Sequence, residues 1–518
     1  MIRFLLGVFL FLLILWYPWD YEITRNDECI QPPKYFWQSK KNWQGHAYFF
    51  MGDSHTYVLF NAWRDPWRAH RSIGYPAFLH LFLYPDHKKF TPIVARVNEN
   101  GIAWLSGAKK PVYDFLTEAG LAEHFETAAL VQRWLLAFSI ALFFLSLCRW
   151  FSPWISIGAM TVALCLAPPP DPAYIMTEPL SCALTWFCGA FLLFAPKSRH
   201  QLVCFALASL CAALAYLVRP QMLSLTGLVS LVFLYQVFVW SRKVVTLAFL
   251  KVAIAFSPLL LAYGYIAWLS VTGGQLFLHT HPNMAFSSFC YFAETADAPH
   301  MPTDRSRKFT AWYGEHKEEF IRRLFNFNNE EGVEGKVLIS DNDSPVLKRA
   351  VIGDTLSYLG GLQETLNHFQ NEKGFGRLSL LERNILGREL NSGLWERHKG
   401  EMITLLWQNF ICALGYYPDV WHLAYFHQAS FVINLISLLF IVAAIIASAQ
   451  TRWPLAIMTG IHIMAILSPV LGHFVLGRYV EPTEPFLLLA GMCALWILCG
   501  HGYARLKKGG GAEATGYV

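Results

Sequence analysis

Long apolar runs separated by short polar connections dominate the chain, at roughly 4–19, 131–148, 154–169, 178–195, 202–218, 221–240, 244–269, 428–449, 453–475 and 484–500. A helix needs about 20 apolar residues to cross the hydrocarbon of a bilayer. The pattern therefore predicts an all-α polytopic membrane protein with about ten transmembrane helices. Two polar stretches interrupt it, at about 20–130 and about 270–427. The second contains "TDRSRKFTAWYGEHKEEFIRRLFNFNNEEG" and reads as a mainly helical soluble domain. The expected organisation is an N-terminal transmembrane module over 1–270, a soluble domain over 271–427, and C-terminal helices with a short tail over 428–518.

Composition agrees with that pattern. The chain has 518 residues, of which 55% are hydrophobic and 15% charged, against about 25% charged in soluble proteins. A net charge of +5 suits positive flanks on membrane helices and gives no reason to expect nucleic acid. With the N-terminus inside, the inner connections hold Arg149, then Lys197 and Arg199, then Arg242 and Lys243, then Arg452; the tail adds Arg505, Lys507 and Lys508. This obeys the positive-inside rule and sets 20–130 and 271–427 outside. The first run carries one cation, Arg3, lacks a small-residue cleavage site and ends at Trp16, Tyr17 and Trp19, so it reads as an uncleaved span. Most cysteines lie in apolar runs, no Cys-x-x-Cys spacing occurs, and the tail "KKGGGAEATGYV" reads as disordered.

Charge is scarce inside the membrane part, which makes its positions informative. Between Thr127 and Ala293 the only acids are Asp171 and Glu178, both in the connection "APPPDPAYIMTEPLS". An acid beside a span is costly and is a functional candidate by default; a solvated loop residue for Asp171 and a helix N-terminus for Glu178 are the plainer readings. Arg219 in "ALAYLVRPQMLS" and Arg478 in "GHFVLGRYVEPTEP" sit at outer span ends. Either they anchor the helices at the interface or their guanidinium groups receive a phosphate bidentately. In the first outer stretch, "DSHTYVLFNAW" carries Asp53 before Tyr57, Val58, Phe60 and Trp63, the pattern of a surface-lying amphipathic helix. Asp53 is a helix cap or a reactive acid. "HRSIGYPAFLHLFLYP" then returns the chain to the bilayer through a Gly-Tyr-Pro turn.

This ordered set resembles the GT-C superfamily of membrane glycosyltransferases, which includes protein O-mannosyltransferases and the bacterial transferase that puts aminoarabinose on lipid A. Those proteins have an Asp-Glu-x-x-Tyr motif after the first span; here the residues are Asp53-Ser54-His55-Thr56-Tyr57. Their Pro-Gly-Tyr-Pro turn, preceded by a basic residue, is matched by Arg71-Ser72-Ile73-Gly74-Tyr75-Pro76. Later come Thr177-Glu178-Pro179, Arg219-Pro220 and Arg478-Tyr479. Ser54 stands where the second acid is common and Ile73 where the first proline is. The region 271–427 matches no family pattern.

The resemblance implies inverting transfer of a sugar from a polyprenyl-phosphate donor to an acceptor hydroxyl of a glycan, lipid or protein, on the outer face of what the short inner loops suggest is a bacterial inner membrane. Asp53 would be the general base. Arg71, Arg219 and Arg478 would hold the departing phosphate, and Glu178 would orient the acceptor or a cation. His55, Tyr57, His70, Tyr75, Asp171 and Tyr479 are expected to contact substrate. The acids are few, so no cofactor is expected, with a divalent metal as the alternative. A transporter of lipid-linked sugars and a non-catalytic polyprenyl-phosphate-binding protein are the rival functions; the first calls for mid-membrane charges and a repeat relating two halves.

Overall fold

A computed structural model describes residues 2–15, 44–49, 57–58, 72–99, 110–241, 245–278, 292–330, 378–414, 424–471 and 483–509. Among the described residues the chain is helical and has no β-strand; one isolated bridge joins Phe49 to Tyr174. The helices are α1 (Ile2–Leu15), α2 (Gly74–Leu83), α3 (Phe90–Glu99), α4 (Lys110–Glu118), α5 (Ala122–Leu147), α6 (Pro153–Leu166), α7 (Thr177–Phe194), α8 (Gln201–Val218), α9 (Leu223–Ser241), α10 (Val245–Phe256) and α11 (Leu260–Gly273). After these come α12 (Asp304–Glu330), α13 (Leu380–Ala413), α14 (Ala424–Ala447), α15 (Arg452–Leu471) and α16 (Glu484–Gly509).

Among the described residues, six helical stretches are long and apolar enough to cross a membrane: Ala122–Leu147, Thr177–Lys197, Gln201–Val218, Pro220–Val239, Phe249–Gly273 and Glu484–His501. The described residues thus form an all-α fold whose long apolar helices fit a multi-pass membrane protein. The other four expected spans correspond to shorter apolar helices, among them Ile2–Leu15 and Pro153–Leu166, each of 14 residues. Fourteen residues rise about 21 Å, short of the roughly 30 Å of hydrocarbon. For α6 the cause is local. The apolar run continues into Pro168, Pro169 and Pro170, and prolines supply no N–H to extend a helix. For α1 the expected continuation to residue 19 lies outside the described residues.

The bundle is organised around α7, which is more buried than any other candidate span, at 72% of its window. It packs against α5, α8 and α15. Gly189 makes the approach possible: a Cβ there would lie 2.9 Å from the Phe143 ring and 3.0 Å from Ile461. Around it Trp186 meets Phe143 edge-on at 4.9 Å and Phe486 at 4.3 Å. In this way α5, α7, α15 and α16 share one apolar core, to which α1 adds Leu10 and Ile14. The expected apolar run at 244–269 is two helices, α10 and α11, because Pro258 interrupts the ladder. Gly274, at φ 69°, ends α11, four residues beyond the expected domain boundary.

The expected Gly-Tyr-Pro turn is instead the first turn of α2. Pro76 is tolerated there because the first N–H groups of a helix have no partner inside it. Gly74 is required for packing: a Cβ would sit 2.5 Å from the Leu217 backbone carbon and 2.6 Å from the Val218 nitrogen. The start of α2 therefore lies directly against the end of α8. The expected surface-lying helix after Asp53 is described only at Tyr57 and Val58; both are helical and buried against protein. The second half of α13, with Leu414 just beyond it, packs through Leu406, Phe410 and Leu414 on Ile463 and Ile466 of α15. In the region 271–427 the described residues are mainly helical, with α12 and α13 packed together.

Gly74→Val is expected to cost about 1–3 kcal/mol, the range for overpacking a rigid contact. Gly158→Ala, where nothing lies within 4 Å of the added Cβ, should be neutral or mildly stabilising. Thermal unfolding of the purified protein compares the two.

Candidate functional site

The scarce charges of the membrane part converge where α7 begins and α8 ends. Glu178 is the second residue of α7, and Arg219 caps the C-terminus of α8. Each charge sits at the helix end whose dipole favours it. Arg219 Nη2 lies 3.3 Å from Glu178 Oε1, and both side chains are almost fully buried. The hydroxyl of Thr177 donates to Glu178 Oε2 at 3.0 Å. Arg219 Nε donates to the side-chain oxygen of Gln221. A buried charge is tolerated when it is paired and hydrogen-bonded, and this arrangement supplies both conditions.

Helix α2 brings the Arg-Ser-Ile-Gly-Tyr-Pro segment to the same place. The Ser72 hydroxyl donates to the carbonyl of Val218, one residue before Arg219, at 2.9 Å. Tyr75 is fully buried, and its hydroxyl donates to Gln132 Oε1 at 2.8 Å. Gln132 Nε2 donates in turn to the carbonyls of Pro172 and Tyr174, each at 3.0 Å. One side chain of α5 thereby joins α2 to the loop that carries Asp171 and leads to Glu178. Tyr57 packs edge-on against Tyr75 at 5.1 Å, and Tyr75 lies within electrostatic range of both Tyr57 and Glu178.

The loop itself is shaped by Asp171, whose Oδ1 accepts from the Ala173 N–H at 2.8 Å, an Asx turn. Phe49 runs alongside: its N–H donates to the Ala173 carbonyl and its carbonyl accepts from the Ile175 N–H, both at 3.0 Å. Just upstream, His46 Nδ1 meets Glu126 Oε2 at 2.7 Å. Residues 44–49 are thus fastened to α5 and to the Asp171 loop.

Of the residues singled out in the sequence, Tyr57, Tyr75, Asp171, Glu178 and Arg219 fall within the described residues. The structure gathers Tyr57, Tyr75, Glu178 and Arg219 with the Asp171 loop into one cluster. Asp53, His55, His70, Arg71, Arg478 and Tyr479 lie outside the described residues. The chain carrying Asp53 is nonetheless anchored at both flanks, by Phe49 on the Asp171 loop and by Tyr57 on Tyr75. Sequence reasoning missed Gln132, Thr177 and Gln221 as partners. The signal for Gln132 was available: an amide within the apolar helix "ETAALVQRWLLAF" is as much in need of partners as an acid. Among the described residues no group of three or more His, Cys, Asp or Glu side chains is placed to hold a metal ion. Compared with known proteins, the chain matches no family model, no curated protein and no solved structure.

The Glu178–Arg219 pair predicts strong coupling in a double-mutant cycle. Glu178→Gln alone or Arg219→Met alone leaves one buried charge without its counter-ion and is expected to cost about 3–5 kcal/mol. The double variant should recover at least about 1 kcal/mol of the summed cost, read by thermal or denaturant unfolding in one detergent. Additive losses would show that the pair is not coupled.

Proposed function

We propose that the chain is an inverting glycosyltransferase of the GT-C type. In this reading it moves a sugar from a polyprenyl-phosphate donor to an acceptor hydroxyl on the outer side of a membrane. The observation that carries the reading is convergence. Four motif pieces separated by up to about 160 residues along the chain, around Tyr57, Tyr75, Glu178 and Arg219, meet in one buried cluster where α7 begins and α8 ends. A transporter or a structural bundle gives no reason for that particular set to meet. The full arrangement belongs to the proposal as well: ten spans, both termini cytoplasmic, the site periplasmic and the membrane a bacterial inner membrane.

The chemistry asks little beyond what these residues offer. A polyprenyl phosphate is already a good leaving group, so the protein must take a proton from the acceptor and hold the departing phosphate. Asp53 is assigned the first task. Arg71, Arg219 and Arg478 are assigned the second, stabilising charge as it develops. The ion pair refines the part of Glu178. It holds the Arg219 guanidinium at a fixed place in a low-dielectric setting, where an incoming phosphate competes with the carboxylate for the same donors. Glu178 thus orients the phosphate-binding arginine in addition to any contact with the acceptor.

Asp53→Asn keeps the shape and capping ability of the side chain but cannot accept the acceptor's proton. It is expected to lower transfer by about 10²–10⁴-fold while donor binding persists. Arg219→Ala should weaken donor binding as well. The assay is transfer from a polyprenyl-phosphate sugar by the purified protein, with donor binding measured in parallel. Transfer by the Asp53→Asn variant at close to the wild-type rate would remove Asp53 from the mechanism.

A further inference from the structure

Helix α13 bends at His398, whose backbone (φ −106°, ψ 21°) leaves the helical range in a helix of 34 residues. The two halves belong to different packing groups. Before the bend, Glu389 accepts from the Thr303 hydroxyl at 2.6 Å, and Gly393 lies so close to Met301 that a Cβ would sit 2.6 Å from its sulfur. Beyond the bend, Leu406, Phe410 and Leu414 pack on α15, and the Leu414 carbonyl accepts from Asn434 at 2.9 Å. The side chain at the bend touches both groups. His398 Nε2 lies 3.2 and 3.3 Å from the two carboxylate oxygens of Asp297, which is 2% exposed. His398 Nδ1 lies 3.1 Å from Oε2 of Glu401, one turn beyond the bend and 66% exposed. The Phe292 ring stacks on the imidazole at 5.7 Å.

We propose that His398 is a protonation-dependent clamp on this hinge, joining the 292–303 segment to the second half of α13 when the ring is doubly protonated. An ionised carboxylate only accepts hydrogen bonds, and a neutral imidazole has only one N–H to give. The imidazolium serves both acids at once; the neutral ring serves one. Asp297 is buried and keeps the Nε2 proton, whereas Glu401 can turn to water. Deprotonation therefore releases Glu401 and with it the first turn beyond the bend.

Among the described residues two cations also contact the 292–303 segment, Arg397 and Lys317. Arg397 Nη1 contacts Asp297 Oδ1 at 3.0 Å. Lys317 of α12 donates to the Ala293 carbonyl at 3.2 Å. Within the segment, Asp297 also accepts from the Glu294 N–H at 2.9 Å. The sign follows from the cation being the form that clamps: the Glu401 bond is present when the ring carries both protons and is lost when rising pH removes one of them. The proposal is independent of the sugar-transfer reading, since it concerns a hinge remote in sequence from the Glu178 cluster.

The test is hydrogen exchange on the full chain in lipid nanodiscs, with protection factors corrected for intrinsic rates at residues 401–405. Protection in the wild type is expected to fall at least about threefold between pH 5.5 and pH 8, the scale of a partly exposed ion pair. His398→Gln, which cannot change its protonation, should give a flat profile. Glu401→Gln, at an exposed position that tolerates substitution, should flatten it too and serves as the readout where the His398 variant fails to fold. A wild-type profile already flat over this range overturns the proposal, as does a pH step that persists in Glu401→Gln.

Discussion

A charge placed inside an apolar bundle has to be neutralised where it stands, and much of this architecture follows from how Glu178 and Arg219 meet that demand. The two residues lie at adjoining ends of α7 and α8, one at an N-terminus and one at a C-terminus, so both helix dipoles and the partner charge act in the same direction. Such a pair fixes the register of the two helices more strictly than apolar packing could, because sliding by one turn would strand both ions. The close seat of Gly74 on Leu217 and Val218 then fixes α2 against the same end of α8. The amide of Gln132 fixes the loop from Pro172 to Tyr174 against α2.

The consequence is a cross-linked polar cluster on α7, the most buried of the candidate spans among the described residues. The first polar segment is pinned to it at two places, Phe49 and Tyr57. Sites that handle charged substrates profit from such pre-arrangement, since dipoles fixed before the substrate arrives need no reorganisation during reaction. The bend in α13 differs in kind. It lies between two separately packed groups, it is held by the buried Asp297 on one side and the exposed Glu401 on the other, and the Glu401 bond depends on one proton. The molecule thus combines a static polar junction at α7 and α8 with an adjustable one at His398.

Periodicity and composition were sufficient for the class seen in the described residues, helices long and apolar enough to span a membrane, because burial in hydrocarbon admits few other residue patterns. The scarcity of acids between Thr127 and Ala293 was sufficient to single out Glu178, and position at a span end to single out Arg219. Hydropathy misjudged the ends of runs. It counted Pro168 and Pro169 as part of a span, although a proline has no N–H to donate. The Gly and Pro of Gly74-Tyr75-Pro76 suggested a turn, where the unpaired first turn of a helix accepts proline without loss.

The sequence alone determined which residues are costly to bury, and hence which ones need a partner. It could not determine the partner. Glu178 with Arg219, Tyr75 with Gln132, and His398 with Asp297 are separated by 41, 57 and 101 positions. No local rule links residues so far apart, because helix propensity and hydrophobic period act over one or two turns. Those pairings were decided by the packing of α2, α5, α7 and α8 and by the bend of α13. Tertiary structure brings the ends of different helices to the same place, where a single unsatisfied polar group would cost more than any local preference could return.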